Sequence, residues 1–139
     1  MTKAILPYFK SQKSGHFAIT SSLVGIIGSP YRSSYSASKH ALHGYFDSLR
    51  AEHHDDHITV TIICPGFIKT NVSVNAITAD GKPLNQMDDA QANGMSAEAC
   101  ASKIFKGIKK EKKSYILEAK RSWPSTSKDL FQEYFQKYF

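Results

Sequence analysis

The stretch HITVTIIC, residues 57–64, constrains the fold more than any other part of the chain. It is β-branched along its length, which favours an extended strand over a helix. It is also apolar on both faces. A strand with one wet face alternates apolar and polar residues, so this one reads as an interior strand of a parallel sheet. Parallel neighbours are joined by crossover connections, usually helices. The segments on either side must therefore supply helices, and the fold class follows as α/β.

The flanking sequence has that alternation. A first amphipathic helix spans roughly 2–13, apolar at Ile5, Leu6 and Phe9, with Pro7 inside it as a bend. HFAITSS is a short buried strand, and LVGIIGSPYRSS is a Gly/Pro/Ser loop. From about Ser34 to His53 the chain is helical, with Leu42, Phe46 and Leu49 at helical spacing. The central strand ends at Pro65–Gly66. Residues 71–95 have no periodicity and carry Gly81, Pro83 and Gly94, as a lid or binding loop does. Ser96 caps a further helix with Glu98 in its first turn, and SYILE is a last strand. After Pro124, Leu130, Phe131, Tyr134, Phe135 and Tyr138 form an aromatic stripe. It reads as core or subunit contact, with docking to a membrane surface as the second reading. The expected organisation is one partial doubly wound (Rossmann-like) unit over 1–122, helices on both sheet faces, and an amphipathic helix over 123–139.

Composition narrows the class. A chain of 139 residues that is 41% hydrophobic suits one ordinary domain. The net charge of +6 is local: eight basic residues between Lys103 and Arg121 face only Glu111 and Glu118, which accounts for all of it. Lysines around a helix that also carries Ile104, Phe105 and Ile108 read as a solvated face, ahead of a nucleic-acid or anionic-membrane surface. No nucleic-acid partner is expected. Cys64 and Cys100 read as small buried hydrophobes of a reducing compartment rather than a disulfide. HHDDH at 53–57 has metal-ligand residue types, but it lies between a helix end and a strand start and reads as a solvated loop; no metal is expected. No apolar run reaches the ~20 residues of a membrane span. No charged-then-apolar leader opens the sequence. The expected location is cytoplasmic, or the cytosolic face of an internal membrane.

In open parallel sheets, ligands bind at the carboxyl ends of the strands. The Ser21–Ser22 pair, the loop before Tyr35, and Pro65–Gly66 all fall at that edge. Within YSASK, Tyr35 and Lys39 stand four apart and share one helix face. A phenol titrates near ~10 when free, and an adjacent ammonium favours its ionised form. Such a phenol can exchange a proton with a ketone or secondary alcohol, and the Ser22 hydroxyl can hold the same oxygen. This set moves protons only. A hydride must come from a cofactor.

These residues resemble a known family. Tyr35-Ser36-Ala37-Ser38-Lys39 is similar to the Tyr-x-x-x-Lys motif of the short-chain dehydrogenase/reductases. It stands with Ser22, at the family's usual gap, and with CPGFIKT, which is similar to the family's Pro-Gly-x-x-x-Thr segment. The resemblance runs from residue 1 to about 120. TNVSVNAITADG and the lysine-rich helix most resemble the membrane-associated branch that includes acyl/alkyl-dihydroxyacetone-phosphate reductase. The resemblance implies an oxidoreductase using NADP or NAD, NADP slightly favoured, on a small-molecule ketone or secondary alcohol, lipid-derived substrates included. It implies Tyr35 as acid/base and Lys39 as its partner and a ligand of the nicotinamide ribose. It further implies Ser22 as carbonyl-polarising, and Pro65, Gly66, Ile68 and Thr70 at the nicotinamide end of the cofactor. It also implies a homo-oligomer, usually a dimer.

The departure from the family pattern is large. The Gly-rich TGxxxGxG turn that cradles the pyrophosphate, the Asn-Asn-Ala-Gly segment and the ribose-reading residue are not among these residues. The expectation is therefore the second half of the fold, a fragment with the nicotinamide end of the site and without the adenine end. The alternative is a catalytically incomplete family member acting as a binding or dimerisation module.

Overall fold

The computed structural model describes residues 1–117. The expected aromatic helix over 123–139 lies outside them. Eight principal elements carry the fold. They are α1 (Thr2–Gln12), β1 (Gly15–Thr20), α2 (Ser33–Glu52), β2 (Ile58–Pro65), the short β3 (Ile68–Lys69) and β4 (Met95–Ser96), α4 (Ala97–Lys109) and β5 (Ser114–Leu117); a one-turn α3 (Asp89–Ala92) precedes β4.

The main sheet has strand order β1-β2-β5 and is parallel throughout. Gly15 pairs with Ile58 and Thr20 with Ile63, while Ile62 to Pro65 pair with Ser114 to Leu117. The HITVTIIC strand is thus central. Helices cover it on two sides. On one face α1 and α2 pack on Phe17, Ile58, Val60, Ile62 and Cys64, with Phe46 and Leu49 entering from α2 and Ile5, Leu6 and Phe9 from α1. On the other, α4 brings Cys100, Ile104 and Ile108 over Ile63 and Leu117. The expected α/β class with helices on both faces is borne out. Full burial of a side chain such as Ile62 is worth about 1.5–3 kcal/mol.

Local chemistry sets the boundaries. Helix α1 continues through Pro7 and ends where Lys13 adopts a left-handed conformation, φ 52°. Gly15 then lets β1 pass under the helix, because a Cβ there would lie 2.2 Å from the Phe9 ring. Ser96 caps α4 by accepting from the Ala99 N–H at 3.2 Å, as its spacing predicts. Both cysteines are buried thiols without a disulfide, and burial raises the pKa of Cys100. Among the described residues no group of His, Cys, Asp and Glu could hold a metal ion, and no helix is long and apolar enough to cross a membrane.

The segment expected as a loop over 71–95 has more structure than its sequence suggests. Asp88 caps α3 by accepting from the Gln91 N–H at 3.0 Å, and Met95 is buried where β4 pairs with β3. One helical turn and a two-residue strand are too short to show periodicity. The HHDDH segment is a 3-10 turn over His54–Asp56. Asp56 pairs with Lys13 at 2.7 Å and with His53 at 3.0 Å.

Candidate active site

Strand β1 runs out at Thr20, and the chain turns at once into a 3-10 turn over Leu23–Gly25. Ser22 is the N-cap of that turn. Its Oγ accepts weakly from the Val24 N–H at 3.4 Å. A capping oxygen still keeps its own proton to donate. Tyr35 stands in the first turn of α2 and is 42% exposed. One turn on, the Lys39 ammonium lies 5.7 Å from the centre of the Tyr35 ring, within cation–π range. It also donates to the Thr20 carbonyl at 3.2 Å, which joins α2 to the end of β1. At the end of β2, Pro65 is half-buried, and the Gly66 N–H donates to the Leu117 carbonyl at 2.8 Å.

Ser22, Tyr35, Lys39, Pro65 and Gly66 therefore share the rim at the carboxyl ends of β1 and β2. Ile68 and Thr70 follow it on and after β3. The Ile68 side chain packs inward against the second core, its carbonyl accepts from Gln91 Nε2 at 3.2 Å, and Thr70 is exposed. Gly94 is needed behind this segment, since a Cβ there would lie 2.4 Å from the Phe67 carbonyl oxygen.

Behind the rim lies a polar cluster that the motif reading did not single out. His43 Nε2 is 2.9 Å from Ser21 Oγ and 3.8 Å from Cys64 Sγ, and Ser21 Oγ also reaches the Lys39 carbonyl at 3.4 Å. Burial lowers the His43 pKa below its ordinary value; Asp47 opposes the shift and His40 adds to it. The signal was available: Tyr35, Lys39 and His43 stand at i, i+4 and i+8 and form one stripe of α2.

A family model described as short chain dehydrogenase matches residues 1–81. The chain belongs to the short-chain dehydrogenase/reductase family. It is 48% identical over 117 residues to the mouse protein named dehydrogenase/reductase SDR family member 7B, covering 84% of this chain and 36% of that protein. It is 45% identical over 117 residues to an Anopheles gambiae protein named dehydrogenase/reductase SDR family protein 7-like, covering 84% and 37% respectively. The chain thus spans little more than a third of the length of these curated relatives. Among solved structures, it is similar to a short-chain dehydrogenase/reductase from Burkholderia phymatum in complex with NAD, with TM-score 0.67 and 19% identity, over 83% of this chain and 47% of that one. A putative short-chain dehydrogenase from Novosphingobium aromaticivorans gives TM-score 0.65 at 18% identity, over 99% and 45%. These structures share the fold, and the expected membership of the family is borne out by the family match and the relatives.

Proposed function

We propose that this segment supplies the proton-transfer and nicotinamide end of an NAD(P)-dependent oxidoreductase that interconverts a ketone and a secondary alcohol. The observation that carries the reading is the Lys39 ammonium, held by the Thr20 carbonyl and set 5.7 Å from the Tyr35 ring, at the rim where Ser22 follows the end of β1. The residues fit the nicotinamide end of such a cofactor. An ammonium has three donors, and Lys39 gives one to Thr20, which leaves two for ribose hydroxyls. Pro65, Gly66, Ile68 and Thr70 form the wall beyond it. The chemistry a bound nicotinamide supplies is hydride exchange with the carbonyl carbon. Tyr35 gives its phenolic proton to the substrate oxygen in reduction and takes it back in oxidation, while the Ser22 hydroxyl donates to that oxygen and orients it.

A lipid-derived substrate suits the surface after Thr70. Val72 is 60% exposed, Ile77 78% and Leu84 45%, and an apolar substrate gives such a surface something to bury. A membrane surface as partner, and a place on the cytosolic face of an internal membrane, draw support from Phe105, 69% exposed on lysine-rich α4.

The test is Tyr35→Phe in a complete domain carrying this segment. The ring retains the packing, and turnover drops by roughly 10²–10⁴ or more, the usual worth of a positioned acid/base. Activity within a few-fold of the parent removes Tyr35 from the role. Lys39→Arg is also poorly tolerated, because a guanidinium is wider than an ammonium and does not fit between Tyr35 and the ribose of a bound cofactor.

A second reading draws on the edge of β1, which among the described residues has a neighbour on one side only. An unpaired edge is a template for another strand, so the 139-residue chain acts as a binding or dimerisation module. Titration calorimetry with NADPH and NADH, alongside light scattering, separates the two readings. Self-association with little nucleotide binding supports the module. Micromolar binding by a monodisperse monomer rejects it.

A further inference from the structure

The His43 side chain reaches both strand ends that bear the candidate site. Its Nε2 is 2.9 Å from Ser21 Oγ, next to Ser22 at the end of β1. The same nitrogen is 3.8 Å from Cys64 Sγ, next to Pro65 at the end of β2. The ring itself rides on α2, one turn beyond Lys39. The contact with β1 is tight, because Gly25 closes over it: a Cβ at Gly25 would lie 2.5 Å from Ser21 Oγ, 3.0 Å from His43 Nε2 and 3.1 Å from the Lys39 Cβ.

Ser21 Oγ reaches the Lys39 carbonyl at 3.4 Å, and a carbonyl only accepts. With the Ser21 hydroxyl donating to that carbonyl, its lone pair is open to a His43 Nε2–H, the tautomer this proposal takes. The relay runs from the ring through the hydroxyl to the backbone of the residue that bears the candidate ammonium. We propose that His43 is a positioning residue, whose Nε2–H sets the register of Ser22, Lys39 and Pro65–Gly66 relative to one another. This rests on the assignment of those residues as the reactive rim, but the geometry it predicts exists without substrate.

The groups facing His43 are few. On α2 they are Lys39, His40 and Asp47; β2 brings the Cys64 thiol; β1 brings only the Ser21 hydroxyl, which does not titrate in water. Burial favours the neutral ring, which agrees with a donor role at one nitrogen.

The experiment is nuclear magnetic resonance on the 139-residue chain, selectively labelled at histidine and lysine side chains and at the backbone. In the parent, His43 shows a protonated, pyrrole-type Nε2 whose shift changes in Ser21→Ala. His43→Leu removes the donor and leaves the Ser21 hydroxyl its bond to the Lys39 carbonyl, so the chain stays folded. The Ser22 and Gly66 amide signals and the Lys39 Nζ signal nevertheless move and broaden. His43→Gln restores an N–H near the same place, and those signals return toward the parent. Signals unmoved in His43→Leu, or moved equally in His43→Gln, overturn the proposal. If His43→Leu does not fold, Ser21→Ala decides alone: movement at Ser22 and Lys39 supports the relay, and none overturns it. No substrate enters these measurements. Failure of the reaction assignment is read separately, from the activity of Tyr35→Phe.

Discussion

Strands β1 and β2 lie side by side in one parallel sheet, yet the fold holds them differently. Six of the eight residues of β2 are buried, whereas in β1 only Phe17 is. Strand β2 has a neighbour on each edge and a helix over each face. Among the described residues strand β1 has one neighbour, and its Ala18 and Thr20 are exposed on the side away from α2. Burial fixes β2. The end of β1 has the Ser21 N–H on the Ile63 carbonyl at 2.7 Å and, besides, side chains of α2: Lys39 on the Thr20 carbonyl and His43 on Ser21. Of these two strands, the one less secured by burial is the one that leads into Ser22, and the helix that reaches its end is the one carrying Tyr35.

The largest effect that tests this difference is truncation in the two strands. Ile62→Ala, at a site 1% exposed, costs about 2–5 kcal/mol in urea unfolding, the range for a cavity in a packed core. Ile19→Ala, on the neighbouring position of β1, costs about half or less, because solvent already reaches that side chain. Equal costs break the comparison, and would mean that β1 is as deeply held as β2.

The next effect is at the turn after β1. Gly25→Ala drives a methyl into Ser21 and His43 and costs about 1–3 kcal/mol, as overpacking does. Gly28→Ala meets nothing within 4 Å and is close to neutral, which makes it the control. If the two variants melt together, the clamp on β1 is loose enough to shift.

Much of this arrangement was legible beforehand, for unequal reasons. HITVTIIC announced a central strand because burial on both faces demands apolar residues throughout. Tyr35 and Lys39 announced a shared face because helical spacing alone dictates it. The clamp was not legible. That Ser21, His43 and Cys64 meet depends on which strands are adjacent and how α2 lies across them, and no spacing within one element encodes that. The turn at α3 was missed because four residues cannot express a period. The uncovered side of β1 was foreseeable only as half a sheet, since the identity of the open edge needs the strand order.

Acidification probes the clamp with a smaller effect. The His43 pKa is lowered on folding, chiefly by burial. The unfolded chain then binds more protons than the native one between the two pKa values, so stability rises with pH there. The contribution is complete above the ordinary histidine value of about 6.5, and it is lost as pH falls through the lower native value. The parent minus His43→Leu difference in unfolding free energy therefore changes over that window, with the parent losing ground in acid. A difference flat from neutral pH downward shows that the ring is solvated in the native state and adds nothing to the hold on the end of β1.

The smallest effect lies at the opposite end of the same two strands. Lys13, just before β1, reaches Asp56, just before β2, at 2.7 Å, and Lys10 adds a longer contact at 3.9 Å. The Lys13 hydrogen bond, and then that of His53, lower the Asp56 pKa, so this contribution is present above the ordinary aspartate value and disappears as pH falls through the native one. Both partners are within reach of water, so salt screens the attraction, over a Debye length of about 3 Å at 1 M. Lys13→Met keeps the aliphatic stem and the left-handed backbone and removes the charge. Its thermal midpoint drops slightly at low ionic strength and matches the parent at high salt. A drop that persists in high salt shows that Lys13 holds the strand starts by packing along its stem. The amino ends of β1 and β2 would then be joined as their carboxyl ends are, by contact geometry that ionic strength does not reach.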